Sequence, residues 1–416
     1  MRILFLCEAE HGGGAMRSAY RQMTALRVLG HEVAMLARQP MTDDPQVFGP
    51  RSLPGRTWAR VRRHLDALPV RFYPRREAGF FSPAWLPDRI GRLIANWRPD
   101  VVHVQWINNG FISVETLGRI RTPQVWSLHD SWAFTGGCHY RECSRFAIAC
   151  GACPALGSDT EADLSRRVHV RKQRAWAGIS PLLIAPGRWM AERARRSSLC
   201  QSWPVVVIPN PIDHAVYAPA VRHDARRRLG LPLDRRLVLF SALFADDRNK
   251  GFDLLLPALR RLAATIPATT LVTIGHPPTA GYGDTGLPVI TLGPQVAESA
   301  VAAITGAVDA VAIPSRSENF PFAVLEAQAC GAVPVAFRIG GIPDLIDHRH
   351  TGWLAEPYSS DDLAAGLAWA LSAQAPPPER LAQSTERCAA QQVAEQHLAV
   401  YRQAVTAVDG LPRVVP

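Results

Sequence analysis

Short apolar runs alternate with amphipathic stretches along most of the chain. Residues 2–7, 33–37, 99–106, 122–128, 182–185 and 205–208 read as buried strands in the first half. Residues 237–244, 270–274, 289–292, 309–313, 333–337 and 352–354 do so in the second. Between them, apolar residues recur at helical spacing: Met16, Ala19, Tyr20, Met23 and Leu26, then Leu254, Leu255, Ala258, Leu259 and Leu262, then Phe322, Leu325 and Ala329. Strands alternating with helices predict doubly wound parallel sheets. The length of 416 residues allows two such α/β domains, 1–210 and 211–385, followed by a tail, 386–416. A last helix is expected at roughly 379–407. Residues 40–90 break the pattern. Trp58, Leu65, Leu68, Phe72, Phe80, Phe81 and Trp85 are scattered there among basic residues. The spacing supports no clean amphipathic helix, and the stretch reads either as an insertion with a small core or as a lip facing acceptor or membrane.

The chemistry gathers at strand ends, where open α/β sheets bind ligands. Residues 309–341, DAVAIPSRSENFPFAVLEAQACGAVPVAFRIGG, form one βαβ unit with a polar turn at 314–319. The start of its helix, at Asn319, Phe320, Pro321 and Phe322, offers free N–H groups to a diphosphate, Pro321 lying in the first turn where its missing N–H costs nothing. Glu326 on the helix can accept from ribose hydroxyls, and Glu318 in the loop from a donor sugar; the plainer alternative makes both solvated charges. Lys250 opens a helix beside Gly251, where a compact ammonium reaches phosphate oxygens or simply lies on the surface. The turn His11-Gly12-Gly13-Gly14 follows the first strand and opens a helix, but Arg17 stands where a dinucleotide fingerprint needs glycine. His103 lies in a strand and His129 just after one, with Asp130 able to orient an imidazole.

Composition narrows the classes. Net charge is +10, carried almost wholly by arginine, with lysine only at 172 and 250. That balance favours nucleotide phosphates or an anionic membrane face; no helix-turn-helix or aromatic RNA-binding motif points to nucleic acid. No stretch approaches the ~20 apolar residues of a membrane span, and MRILFLCEAE is too short an apolar run for a signal peptide. Eight cysteines are then expected as reduced thiols in a cytoplasmic protein. Cys138, Cys143, Cys150 and Cys153 fall within sixteen residues, 138–153, a spacing that suits structural zinc, an iron–sulfur cluster or two disulfides.

Three stretches carry a family resemblance. PSRSENFPFAVLEAQACGAVPVAF, RNKGFDLLLPAL and SLHDSWAFTGGC resemble the donor-site, phosphate-binding and sugar-contacting segments of retaining, GT-B-fold glycosyltransferases of family 4. The Cys-rich loop resembles an insertion in a bacterial subset of that family. The resemblance implies two Rossmann-like domains facing a cleft, with the final helix crossing back to the first domain. IPNPID, 208–213, looks like the hinge, with Asn210 bonding across it. By the same resemblance Gly13 and Gly14 lie over acceptor and donor phosphates, with Arg17 nearby, and His129 contacts the donor sugar. The family's arginine before the lysine is missing; Phe244 and Ala245 stand there, and Arg248 takes its place.

The implied reaction transfers a sugar from a UDP- or GDP-sugar to a hydroxyl of a glycan or lipid-linked glycan acceptor, with retention and without a catalytic metal. Lys250, Arg248 and the helix N–H groups would stabilise the leaving diphosphate. The implied setting is bacterial surface polysaccharide assembly, in the cytoplasm or peripherally on the anionic inner membrane face. The rivals are a nucleotide-sugar epimerase of the same fold and a non-catalytic scaffold protein.

Overall fold

The computed structural model describes residues 1–77, 79–139 and 143–409, with side chains through 407. Residues 140–142 of the Cys-rich loop and the last seven residues of the expected tail lie outside the described residues. The chain divides into two compact units, Met1–Pro211 with Ala390–Pro416, and Ile212–Ala389.

The first unit holds a seven-stranded sheet. Its strands are β1 (Arg2–Cys7), β2 (Glu32–Ala37), β3 (Val47–Phe48), β4 (Val101–Val104), β5 (Gln124–Ser127), β6 (Leu182–Ala185) and β7 (Val205–Val207). The order is β3-β2-β1-β4-β5-β6-β7, and every pairing is parallel. Alternate residues feed two cores. Ile3, Phe5 and Cys7 of β1 pack with Met23 and Leu26 of helix Gly14–Val28 and with Val393 and Tyr401 of helix Ala390–Asp409. Leu4 and Leu6 face the opposite layer, which holds a cluster of indoles: Trp126 meets Trp176 and Trp203 edge-on, at 5.0 and 5.4 Å.

The second unit holds β8 (Arg236–Phe244), β9 (Thr269–His276), β10 (Val289–Thr291), β11 (Ala310–Ile313), β12 (Val333–Phe337) and β13 (Trp353–Ala355). Their order is β10-β9-β8-β11-β12-β13, again all parallel. β8 and β11 are therefore neighbours at the centre of the sheet, and their trailing loops emerge side by side.

Two local readings need correction. Residues 53–66, where no clean helix is expected, form helix Leu53–Asp66, with Ser52 Oγ accepting from Gly55 N–H at its start. Its apolar face is almost bare: Leu53 and Trp58 are exposed, and Ala59 and Asp66 are its buried residues. Arginine-to-carbonyl bonds hold it instead. Arg62 donates to Gly110 O at 2.7 Å and Pro87 O at 2.8 Å, Arg38 donates to Ala59 O at 2.8 Å, and Asp66 accepts from Trp85 N–H at 3.2 Å. Hydrophobic spacing carries no trace of such contacts. The expected helix at 379–407 is in fact two, Pro378–Gln383 and Ala390–Asp409. Ser384 and Thr385 interrupt it, their hydroxyls bonding the carbonyls of Leu381 at 2.6 Å and Ala382 at 2.7 Å.

Candidate functional site

In the second unit, two loops at the sheet's C-terminal edge are zipped together. The loop after β8 runs through a 3₁₀ turn, Arg248–Lys250, into helix Phe252–Thr265. The loop after β11 runs from Pro314 to Pro321 and into helix Phe322–Ala329. Arg316 N–H donates to Asn249 O at 2.8 Å, and Asn249 Nδ2 donates back to Ser317 O at 3.0 Å. Gly251 permits the approach. Its φ is +69°, and a Cβ there would lie 1.9 Å from Pro314 O. On the other flank, a Cβ on Gly341 would lie 1.8 Å from Asn319 O, and Gly341 N–H donates to Glu318 O at 3.1 Å.

This packing brings Lys250 and Glu318 together, Nζ to Oε1 at 2.8 Å. Both line a small cavity with Ser241 of β8 and Ser315 just after β11. Asn319, Phe320 and Glu326 are buried, and the helix that carries Glu326 is buried on nearly every side. Glu326 is thus not a solvated surface charge. No side chain caps that helix at Pro321. Arg248 is exposed. The loop holds it by its backbone, whose carbonyl accepts from Arg316 at 2.6 Å. Arg316, which the sequence reading passed over, forms a two-pronged pair with Asp253 at 2.8 and 2.6 Å. Its position inside the loop motif itself was the available signal.

In the first unit, Gly13 precedes helix Gly14–Val28 with no side-chain cap, and Gly12 has φ +114°. His129 follows β5. Burial pushes its pKa down to about 4, against the opposing pull of Asp130, so the ring is neutral at neutral pH. Its Nε2 meets Gln105 Oε1 at 2.5 Å. Asp130 does not orient it. The Asp130 carboxylate accepts from His139 Nδ1 at 2.7 Å, Trp106 Nε1 at 2.7 Å and Trp132 N–H at 2.8 Å. Burial raises the Asp130 pKa, but His139 and these donors outweigh it and the net shift is downward. His103 is fully buried in β4, between Tyr401 Oη at 2.7 Å and Ser127 Oγ at 2.9 Å. Asn210 accepts from Ser18 Oγ at 3.0 Å, a partner in its own unit.

The four clustered thiols are unbridged. They lie near enough for their charges to be felt at Cys138, but among the described residues no three His, Cys, Asp or Glu side chains come together as metal ligands. They are shared between apolar surroundings instead. Cys150 sits in the main core and accepts from Gly136 N–H at 3.1 Å, while Cys153 packs with Val70 and Leu156. Burial raises the pKa of both, to about 11 for Cys150, which favours neutral thiols. As placed among the described residues, the thiols do not converge as ligands of one metal ion. Beside it, Lys172 on helix Leu164–Ala175 is fully buried. It donates to Trp132 O and to Thr135 O, the latter at 3.0 Å, and its Nζ lies 3.7 Å from the centre of the Trp132 ring.

Comparison with known proteins places this geometry. The family described as "Glycosyltransferase Family 4" matches residues 12–216, and "Glycosyl transferases group 1" matches residues 221–387. A D-inositol 3-phosphate glycosyltransferase of Segniliparus rotundus is 29% identical over 369 residues, 86% of this chain and 76% of that one. Among solved structures, sucrose-phosphate synthase of Thermosynechococcus elongatus superposes with a TM-score of 0.66 at 18% identity, over 98% of this chain and all of that one. Anabaena HepE, solved in complex with UDP, superposes with a TM-score of 0.59 at 19% identity, over 99% of this chain and 100% of that one. Those two likenesses show the fold. Taken with the two family matches, which follow one another along nearly the whole sequence, they make the chain a glycosyltransferase of GT-B type, family 4 in its first half and group 1 in its second.

Proposed function

We propose that the chain transfers a glycosyl group from a UDP- or GDP-sugar to a hydroxyl of a glycan or lipid-linked glycan, with retention of anomeric configuration, in bacterial surface polysaccharide assembly. The observation that carries the reading is the Lys250–Glu318 pair, held by two zipped loops beside an uncapped helix start and the buried Glu326. A diphosphate arriving there supplies the charge that Lys250 otherwise finds in Glu318. The freed Glu318 carboxylate can then accept from sugar hydroxyls, and Glu326 from the ribose. The backbone N–H groups of Asn319, Phe320 and Phe322 complete the anion's partners. Charge builds on the diphosphate as the glycosidic bond breaks, so Lys250 favours the transition state over the ground state. Arg316 and the exposed Arg248 are the further cations of the loop. On the first unit, Gly13 and Gly14 together are assigned to the acceptor and the donor phosphates, and His129 to the donor sugar. HepE's complex with UDP and the inositol phosphate glycosyltransferase relative support a nucleotide-sugar donor and a polyhydroxylated acceptor.

The basic stretch around helix Leu53–Asp66 exposes Leu53, Trp58, Phe72 and Phe80, which supports peripheral contact with an anionic membrane. No helix among the described residues is long and apolar enough to cross one. The deciding experiment screens purified protein with UDP- and GDP-sugars, with and without a glycan-lipid acceptor. Transfer with retained configuration supports the proposal. An inverted product, or donor epimerisation without acceptor, refutes it.

A further inference from the structure

β8 does not run regularly to its end. Its residues pair with β9 in step from Arg236 with Thr269 to Ser241 with Ile274. Then the register slips, and Phe244 stands opposite His276. One extra residue is thus taken up on β8 between Ser241 and Phe244, a β-bulge. A bulge bends its strand and re-aims the side chains beyond it, often beside a binding site. Here Ser241 stays in the recess of Lys250 and Glu318, while Phe244 turns out against His276. The two rings lie nearly parallel, at 15°, with centroids 5.1 Å apart. This is an offset stack. Phe244 remains 56% exposed, and His276 is exposed as well.

The stack is held by its frame rather than by a core. Ala245 N–H donates to His276 O at 3.1 Å just beyond the rings. Asp246 accepts from Thr279 N–H at 2.8 Å and Thr279 Oγ at 2.6 Å, which ties the loop after β8 to the loop after β9. Asp247 N–H donates to Phe244 O at 3.1 Å, and Lys250 N–H to Asp247 O at 2.8 Å. Phe244 and Lys250 therefore belong to one hydrogen-bonded loop. β9, β8 and β11 are neighbours in the sheet. The stack bridges β9 and β8, and the Lys250–Glu318 recess lies between β8 and β11. Their centres are then separated by one to two strand spacings, roughly 5–10 Å. That is the stretch between the phosphates and the base of one nucleotide. A phenyl ring offers nothing to a diphosphate, so Phe244 is not an anion ligand. What its open face suits is a flat ring, whose contact would remove apolar surface from water. A nucleobase is flat over its whole area, whereas a pyranose is puckered and edged with hydroxyls.

We propose that Phe244 and His276 form the platform on which the nucleobase of the donor stacks while its diphosphate occupies the Lys250–Glu318 recess. The assignment rests on the diphosphate reading of that recess. Stacking uses the face of a base and not its hydrogen-bonding edge, so the platform supplies affinity for uracil and guanine alike.

The test is calorimetry of the full-length protein with UDP and with GDP. Phe244→Ala is expected to weaken whichever nucleotide the wild type binds by about tenfold to a hundredfold, and Phe244→Trp to restore it. Phe244 is exposed, so its truncation leaves the core intact. Should Phe244→Ala still fail to fold, His276→Ala removes the other ring and is expected to weaken binding in the same direction. Pyrophosphate carries the charge but no base. Its affinity, read by competition against the bound nucleotide, is expected to be equal in wild type and Phe244→Ala. Unchanged nucleotide affinity in the alanine variant, or pyrophosphate weakened in step with the nucleotide, overturns the platform. Unchanged UDP or GDP affinity with a raised KM for the nucleotide sugar puts the transferred sugar on the rings and also overturns it. A wild type that binds neither nucleotide overturns the donor reading itself. Equal binding by wild type and Phe244→Ala overturns the platform alone.

Discussion

The chain has two lysines, and they live in opposite surroundings. Lys172 is sealed beside two indoles, with Trp132 O and Thr135 O as its acceptors and, among the described residues, no carboxylate bonded to it. Burial pushes its pKa down to about 7 despite the nearby thiols and Asp130. Lys250 keeps 36% of its side chain exposed and pairs with Glu318 at a sheet edge. The first ammonium ties a loop to a core. The second is held in a polar recess where a stronger anion can displace its partner. The side chain is the same in both; what decides between structure and chemistry is whether the charge can exchange partners.

The sharpest break of this contrast is Lys250→Ala. Losing a preorganised electrostatic partner of a leaving group costs on the order of 100- to 1000-fold in rate. Stability should change by about 0.5 kcal/mol or less, as for other half-exposed pairs. One rate and one melting curve decide it, and near wild-type turnover would return Lys250 to the surface and leave Arg248 and Arg316 as the candidate cations. Next is Gly251→Ala, which leaves Lys250 in place but forces a Cβ toward Pro314 O. It is expected to cost about 2–3 kcal/mol of stability in a denaturant titration, because both backbone angle and space are wrong. Glu326→Ala should weaken UDP or GDP binding by ~1–3 kcal/mol in calorimetry, through loss of a buried ribose partner. Unchanged affinity would separate Glu326 from the nucleotide and shrink the site to the two loops.

Lys172 supplies the smallest and most specific effect. Its pKa is about 7 folded and near 10.5 unfolded. Between those values the unfolded chain holds more protons, so stability contributed here rises with pH. From pH 7 to 8.5 the gain should be about 1–2 kcal/mol, and Lys172→Met should flatten that slope. The window stops there because buried thiols such as Cys150, at about 11, act oppositely once unfolded thiols begin to ionise. A wild-type slope surviving in Lys172→Met would mean the ammonium is not desolvated as its surroundings imply.

The parallel sheets were readable because buried strands such as β11 and β12 are near-continuous apolar runs bounded by glycine and polar turns. The loop chemistry was partly readable for a related reason. A glycine beside Lys250 and a glycine pair after β12 are what close loop contact requires. Helix Leu53–Asp66 was not readable, because arginine–carbonyl bonds rather than an apolar stripe hold it. Nor was the stacking of Phe244 on His276. A whole helix separates them along the chain, and only the slipped register of β8 on β9 brings their rings together. Asp130, adjacent in sequence to His129, was the natural choice of partner and turned out to serve His139.

The indole cluster gives the molecule an uneven optical signature. Of eleven tryptophans, only Trp353 and Trp369 fall within Ile212–Ala389, and they adjoin each other at 5.6 Å. Trp126, Trp132, Trp176 and Trp203 lie together in the first unit, several of them edge-on. Intrinsic fluorescence and near-ultraviolet dichroism of the intact protein are therefore dominated by the first unit. A Trp353→Phe, Trp369→Phe double variant would silence the other unit. The two units can then be followed through one thermal scan without being separated, the first by its light and the second by difference.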